Sequence, residues 1–391
     1  MNSFIFKIAL ILSPLFLFNN TSILPNFGGN NKYEKMWAEV EKFEQDALPA
    51  SALKKVEEIY AIAISEKNNQ EIIKSSIYRL KYINILNDDG YVKAIEELES
   101  EIENIEGTAR AFLHFLLGNM YLQYYNANSW TINQMSVTQK FDHRDMKTWD
   151  KTLFQDKLIK NLMIAIKSPE LKNAKTKDYS IFITKSQQTE VFYPTLFDFL
   201  AYESIKLLQQ NDSYYGYYYQ DNSNNDKFKE QAFLSNATKF TRLEINADTL
   251  SLNYATLKIY QEWLSLRLGD KENVYARLYT DVQRLNFVKN NLVSSNKDAI
   301  WESSIRQLNE EFFEHEAVCL TIYELARYLN NLGNTYNHKN PLTHEYSEHN
   351  KIAHQILTNI TNKYPDALHY PLCMNLKNEI EELEEKQRTG R

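Results

Sequence analysis

The pentapeptide His315-Glu-Ala-Val-Cys319 sets an imidazole and a thiol four residues apart, with the carboxylate of Glu316 directly after the imidazole. Positions i and i+4 share a helix face, and two histidines at that spacing with an intervening Glu hold zinc and its general base in one class of metalloproteases. Here a cysteine stands where the second imidazole would be. Hydrolysis by that route needs both imidazoles, a third ligand and a place for water, so a zinc hydrolase is the weakest of three functional readings. A second series, His344, His349 and His354, recurs every five residues. On a helix that spacing turns successive rings through about 140°, so they converge on a metal only if the intervening residues form a loop. Cys319 and Cys373 are the only cysteines. They can form one disulfide or remain two buried thiols, and spacing leaves both open.

Other chemistry is missing from the pattern. Gly28-Gly29 lacks the strand and helix that would make it a phosphate-binding loop, and neither a Gly-x-Ser-x-Gly elbow nor a Cys/His/Asn arrangement is present. The carboxylates of "EELESEIENIE" and "NEIEELEEKQ" alternate with apolar residues beside lysines, as solvated helix faces do, and nothing pairs an acid with a base in one pocket. No catalytic, cofactor-binding or metal-ligating residue is assigned, and no cofactor is expected.

The elements that would have to position any site are helical. Across 391 residues there are only 9 Gly and 8 Pro, too few for a many-turned sheet, and 43% hydrophobic content is ample for a core. The net charge of -7 is spread over interspersed Lys and Glu and leaves no basic footprint for nucleic acid. At the amino terminus Lys7 precedes an apolar run, Ile8 to Phe18, broken by Pro14. This is a secretory-signal pattern over residues 1–22 and implies export to the periplasm or cell surface. No cysteine follows to carry a lipid anchor, and no later stretch reaches the roughly 18 apolar residues of a transmembrane helix.

In "YEKMWAEVEKFEQDALPASALKKVEEIYAIAISEKN", Trp37, Val40 and Phe43 make one stripe. Leu53, Val56, Ile59, Tyr60 and Ala63 make another after Pro49, giving a helical hairpin. A second hairpin joins "EIIKSSIYRLKYINIL" to "YVKAIEELESEIENI" through "NDDG", with Gly90 expected in a left-handed turn. "RAFLHFLLGNMYLQYY" (110–125) carries the first-helix spacing of a tetratricopeptide repeat in Leu117, Gly118 and Tyr121. Leu325, Ala326 and Gly333, then Ala353, Leu357, Ile360 and Pro365, form a second copy with about fifteen residues inserted in its turn. Two stretches break the pattern. "IFITKSQQTEVFYP" (181–194) reads as a short hairpin or an extended loop, and the Tyr/Asn-rich "NDSYYGYYYQDNSNNDKFK" reads as a surface loop or linker. The expected fold is all-α: tetratricopeptide-like helical hairpins stacked as a superhelix in two sub-arrays, 31–210 and 245–391, joined by a linker over 211–244.

The stretches "YEKMWAEVEKFEQDALPASALKKVEEIYAIA", "IKSSIYRLKYI", "ARAFLHFLLGNMYLQYY", "YPTLFDFLAYESIKLL", "LKIYQEWLSLRL", "RLNFVKNN" and "ILTNITNKYPDALHYPLCMNLKNEIEE", in that order, resemble the amino-terminal helical region of the large alpha-2-macroglobulin family proteins of Bacteroidota. The similarity runs over most of residues 32 to 385. In that family the helical region precedes a series of β-sandwich domains, and the whole is regarded as a protease trap, some members carrying a Cys-x-Glu-Gln thioester. Neither Cys319, followed by Leu-Thr-Ile, nor Cys373, followed by Met-Asn-Leu, matches that motif. The resemblance therefore implies no site residue here. It implies an exported, non-catalytic helical scaffold that binds or assembles with a protein partner, either macroglobulin-type domains or a protease. Trp37, Leu53, Leu117, Gly118, Tyr121, Leu325 and Ala353 are expected to pack rather than react. The alternative is an outer-membrane glycan-binding repeat protein that stacks sugars on the Tyr-rich run.

Overall fold

A computed structural model describes residues 31–134, 142, 145–183, 189–213, 227–245 and 250–389. The expected signal segment (1–22), Gly28-Gly29 and the tyrosines of the 211–229 stretch lie outside these residues. The chain is all-α. The described residues contain fifteen α-helices with short 3-10 turns and no strand beyond two isolated bridges. It divides into two compact units: described residues up to 213 with 250–262, and 227–245 with 263–389.

Unit 1 is a succession of hairpins. Helix α1 (Asn31–Gln45) packs on α2 (Pro49–Glu66), α2 on α3 (Asn69–Leu86), and α3 on α4 (Gly90–Ile102). The turns are set locally. Pro49 opens α2 where no amide hydrogen is required, and Lys67 ends it in the left-handed region (φ 53°). Asn68 then caps α3 by accepting from the Glu71 amide. Trp37 bridges two hairpins: its indole N–H donates to Glu71 Oε2 (2.7 Å), and the Lys74 ammonium lies 3.9 Å from its ring centre.

Helix α5 (Gly107–Gln134) is the spine of this unit. Every residue from Ala111 to Leu122 is buried, against α3, α4, α6 (Lys151–Ile166) and α8 (Leu196–Ser213). A helix apolar on all sides has no solvent face and belongs in a core. A single turn, α7 (Thr189–Phe192), precedes α8. Asp198 fixes the start of α8, its Oδ2 accepting from both the amide (2.8 Å) and the hydroxyl (2.6 Å) of Thr195.

In unit 2, residues 227–245 bury Phe228, Phe233, Leu234 and Phe240, and include the one-turn α9 (Ala237–Phe240). The later part of α10 (Leu252–Leu268) buries Trp263 and Leu264. Helices α11 (Val274–Asn291), α12 (Lys297–Glu311), α13 (Val318–Gly333), α14 (His349–Lys363) and α15 (Tyr370–Thr389) then pack in sequence. Leu325, Ala326, Ala353, Leu357 and Ile360 are all buried in the α13–α14 pair. The inserted residues between these helices form an exposed 3-10 turn, Pro341–Tyr346.

Three local expectations change. Leu53 is only half-buried; the core stripe of α2 is Ala52, Val56, Ile59 and Ala63, shifted by one residue because Leu53 stands at the margin of the face. Gly90 is not left-handed. It begins α4 where a Cβ would fall 2.1 Å from the Asn84 carbonyl oxygen, so its smallness serves a close main-chain approach. No hairpin forms among the described residues of 181–194, whose second half is instead the turn α7.

Gly118 lies where α5 meets α6. A Cβ there would sit 3.4 Å from Asn161 Cβ, the Leu158 carbonyl oxygen and Leu162 Cδ2, ordinary contact with no spare room. Gly118→Ala is therefore expected to be tolerated, whereas Gly118→Leu should destabilise unit 1 by about 1–3 kcal/mol through overpacking. Urea unfolding reads the difference, and equal midpoints for the two variants would contradict this packing.

Candidate functional site

Unit 1 carries a groove of about 840 Å³ at one end of the hairpin stack, where helix ends meet. Its geometry follows from the turns. The left-handed stop at Lys67 and the restart at Asn69 put the end of α2 and the beginning of α3 on one rim. The end of α6 and the following 3-10 turn supply Ile164, Lys167, Ser168 and Glu170 on the other. Between them α5 contributes Gly107, Arg110, Ala111 and His114, the i, i+3, i+4, i+7 stripe of a single helix face.

The entry of α5 is unusual. Gly107 has φ +69°, a conformation that side chains resist, and Asn69 caps the helix from α3 by accepting from the Ala109 amide (3.0 Å). The first turn holds no acidic residue, although the amino-terminal end of a helix favours one; instead it holds Arg110. Lys67, Arg110 and Lys167 are exposed and make no side-chain ion pair among the described residues. Lys67 and Lys167 sit at helix carboxyl ends, where cations are ordinary; Arg110 does not. The acids of the groove are Glu106 and Glu170, the latter held below the usual carboxylate range by the Ser168 hydroxyl and its own amide.

His114 lines the same groove and is 6% exposed. Asn161 spends its amide nitrogen on the Lys157 carbonyl (2.8 Å), so its oxygen accepts from His114 Nδ1 (2.8 Å), which leaves Nε2 as the bare lone-pair nitrogen. That atom has no hydrogen-bond partner among the described residues. Burial, aided by the neighbouring Arg110 charge, lowers the pKa of the ring and keeps it neutral. The groove thus combines positive charge, aliphatic walls at Ile64, Ile105 and Ile164, and one buried acceptor.

Helix periodicity could have placed Arg110 and His114 on one face. Nothing in the sequence signalled that the ends of α2, α3 and α6 would meet that face.

The residues singled out as possible chemistry lie in unit 2. His315 is not on a helix with Cys319; it precedes α13 in a turn, and its Nδ1 accepts from the Ala317 amide (3.0 Å). The Tyr275 ring packs against His315 (centres 6.0 Å apart) and stacks on His369 (6.1 Å), and burial pushes its phenol up to about 12. Cys319 and Cys373 are brought together across α13 and α15. The Cys373 thiol donates to the Cys319 carbonyl (3.5 Å), and its pKa is raised by its hydrogen bond with Cys319 and by burial. Both thiols are free and buried. His344 bonds the His338 carbonyl (3.0 Å) and His354 bonds Glu381 (2.6 Å), so each of those rings turns to its own neighbour. Among the described residues no three His, Cys, Asp or Glu side chains are grouped to hold a metal ion. No described helix is long and apolar enough to cross a membrane.

No protein-family model, curated protein or solved structure matches the chain.

Proposed function

We propose that the chain is an exported, non-catalytic helical scaffold that binds or assembles with another protein, related to the alpha-2-macroglobulin-type protease traps its sequence resembles. The observation that carries this reading is how the stacked hairpins use their buried charges. Arg284 is committed to Asp281 and to two main-chain carbonyls, Arg267 to Asp270, and Glu203 to Lys206. Each of these groups is spent on an ion pair one helical turn away or on the main chain, where it holds helices in place. Stacked hairpins of this kind offer extended surfaces for protein contact. One observation favours the glycan-binding alternative: Tyr91 and Tyr124 stack (6.3 Å) beside Asn84, Asp88 and Asn128 in a recess of about 470 Å³.

The test is to crosslink the tagged chain in the envelope of its own cells and to incubate the purified chain with several proteases, with and without zinc. The expected result is a protein adduct that needs the crosslinker, no denaturant-resistant adduct without it, and no peptide cleavage. Cleavage abolished by His315→Ala would overturn the scaffold reading, and retention on a glycan column lost in Tyr124→Ala would favour the alternative.

A further inference from the structure

We propose that the groove at the α5 entry docks an acidic, aliphatic peptide segment of the protein partner, with Arg110 as its central contact. The proposal rests on the scaffold reading above and adds the chemistry of what is bound.

Charge complementarity carries it. A cation in the first turn of a helix opposes the positive pole of that helix, so Arg110 costs α5 stability where an acid would help. It is exposed and makes no ion pair among the described residues, so no internal bond offsets that cost. A carboxylate from outside would be held by Arg110 near the positive pole of α5, with Lys67 and Lys167 on the two rims. Between these cations the walls are aliphatic, including Ile164, which is 48% exposed. A peptide alternating acidic and aliphatic side chains meets both features. Its main-chain N–H groups are donors of the kind the unpartnered Nε2 of His114 accepts. An acyl chain fits less well, because Glu106 and Glu170 interrupt the apolar lining.

The experiment uses the whole mature chain and a fluorescent peptide, Glu-Leu-Glu-Ile-Glu-Leu-Glu, with matched peptides in which Gln or Lys replaces Glu, followed by anisotropy at low salt. The acidic peptide is expected to bind at least about tenfold more tightly than the Gln peptide, and the Lys peptide not to bind. Arg110→Glu and Lys167→Glu should each weaken the acidic peptide roughly tenfold, and added salt should weaken it further. Arg110→Glu should also raise the unfolding midpoint slightly, because an acid suits that helix end. Weaker binding with a firmer fold is a combination that damage to the structure would not produce. Equal binding of the Glu and Gln peptides, no saturation by any peptide, or binding unchanged in Arg110→Glu would overturn the proposal. So would Arg110-dependent sedimentation with anionic vesicles, or Arg110-dependent self-association, in the absence of peptide binding. If the crosslinked protein adduct persists in the Arg110→Glu/Lys167→Glu double variant, the groove assignment fails and the scaffold reading stands. If the unmodified chain gives no protein adduct, the scaffold reading itself fails.

Discussion

Asp281→Ala is expected to destabilise unit 2 by about 3–5 kcal/mol, because it strands a buried guanidinium. Arg284 is wholly buried on α11, ion-paired with Asp281 one turn earlier. Its Nη1 donates to the carbonyls of Phe233 (2.6 Å) and Ser235 (2.9 Å), tying the segment before α9 to the helix layer. Removing the carboxylate leaves the charge with two carbonyl dipoles and the face of Phe240, 4.7 Å away, and no counter-charge from Asp281. Replacing both partners by apolar residues, Asp281→Leu with Arg284→Met, removes the stranded charge but leaves two carbonyls without their donor. That double variant should fall between the unmodified chain and Asp281→Ala, about 1–3 kcal/mol down. Urea unfolding followed by the Trp263 and Trp301 fluorescence of this unit measures the series. An unmoved midpoint in Asp281→Ala would show that the pair is open to water.

Unit 2 is also expected to gain stability as pH rises from about 4 to 6.5. His369 is buried against Tyr275, whose ring also meets His315, and lies one turn before Cys373; burial pushes its pKa down to about 4. The unfolded chain takes up the proton at the ordinary histidine value near 6.5. Between the two values the unfolded state binds more protons, so stability rises with pH through this window and is complete above it. The full difference is about 3 kcal/mol. His369→Phe keeps a ring against Tyr275 and removes the titration, so its stability should be nearly level over the same range. An equal slope in both proteins would place the titrating group elsewhere. Half-buried Glu71 and buried Glu203 in unit 1, whose pKa values burial raises, act with the opposite sign, so the signal must be read from unit 2.

Much of this architecture is legible in the sequence, because helices announce themselves through spacing. Val56, Ile59 and Ala63 recur at helical intervals and are buried, as are Leu117, Tyr121, Leu325 and Ala353. Gly118 was legible as a close-approach position from the residues around it. What escaped depends on main chain that no local pattern encodes. Gly90 reads as a turn glycine because "NDDG" is a turn signal, yet its smallness is required by the Asn84 carbonyl, a contact made only once α3 and α4 dock. His315 and Cys319 suggest a shared helix face, but the helix begins three residues after the histidine. The groove was the least legible feature. It is made by helix ends, where periodicity stops and turn geometry takes over, and its capping contact joins Asn69 to Ala109.

The burial of α5 on every side between Ala111 and Leu122 has a consequence for the life of the chain. A helical segment with no solvent face is poorly soluble when uncovered, so the stretch from Ala111 to Leu122 is safe only while its neighbours enclose it. Whenever unit 1 opens, a continuous apolar stretch rich in Leu and Phe comes into contact with other opened chains. Association then competes with reclosure. The useful lifetime of the protein is thus governed by how rarely unit 1 opens, a rate, more than by the equilibrium between its open and closed forms.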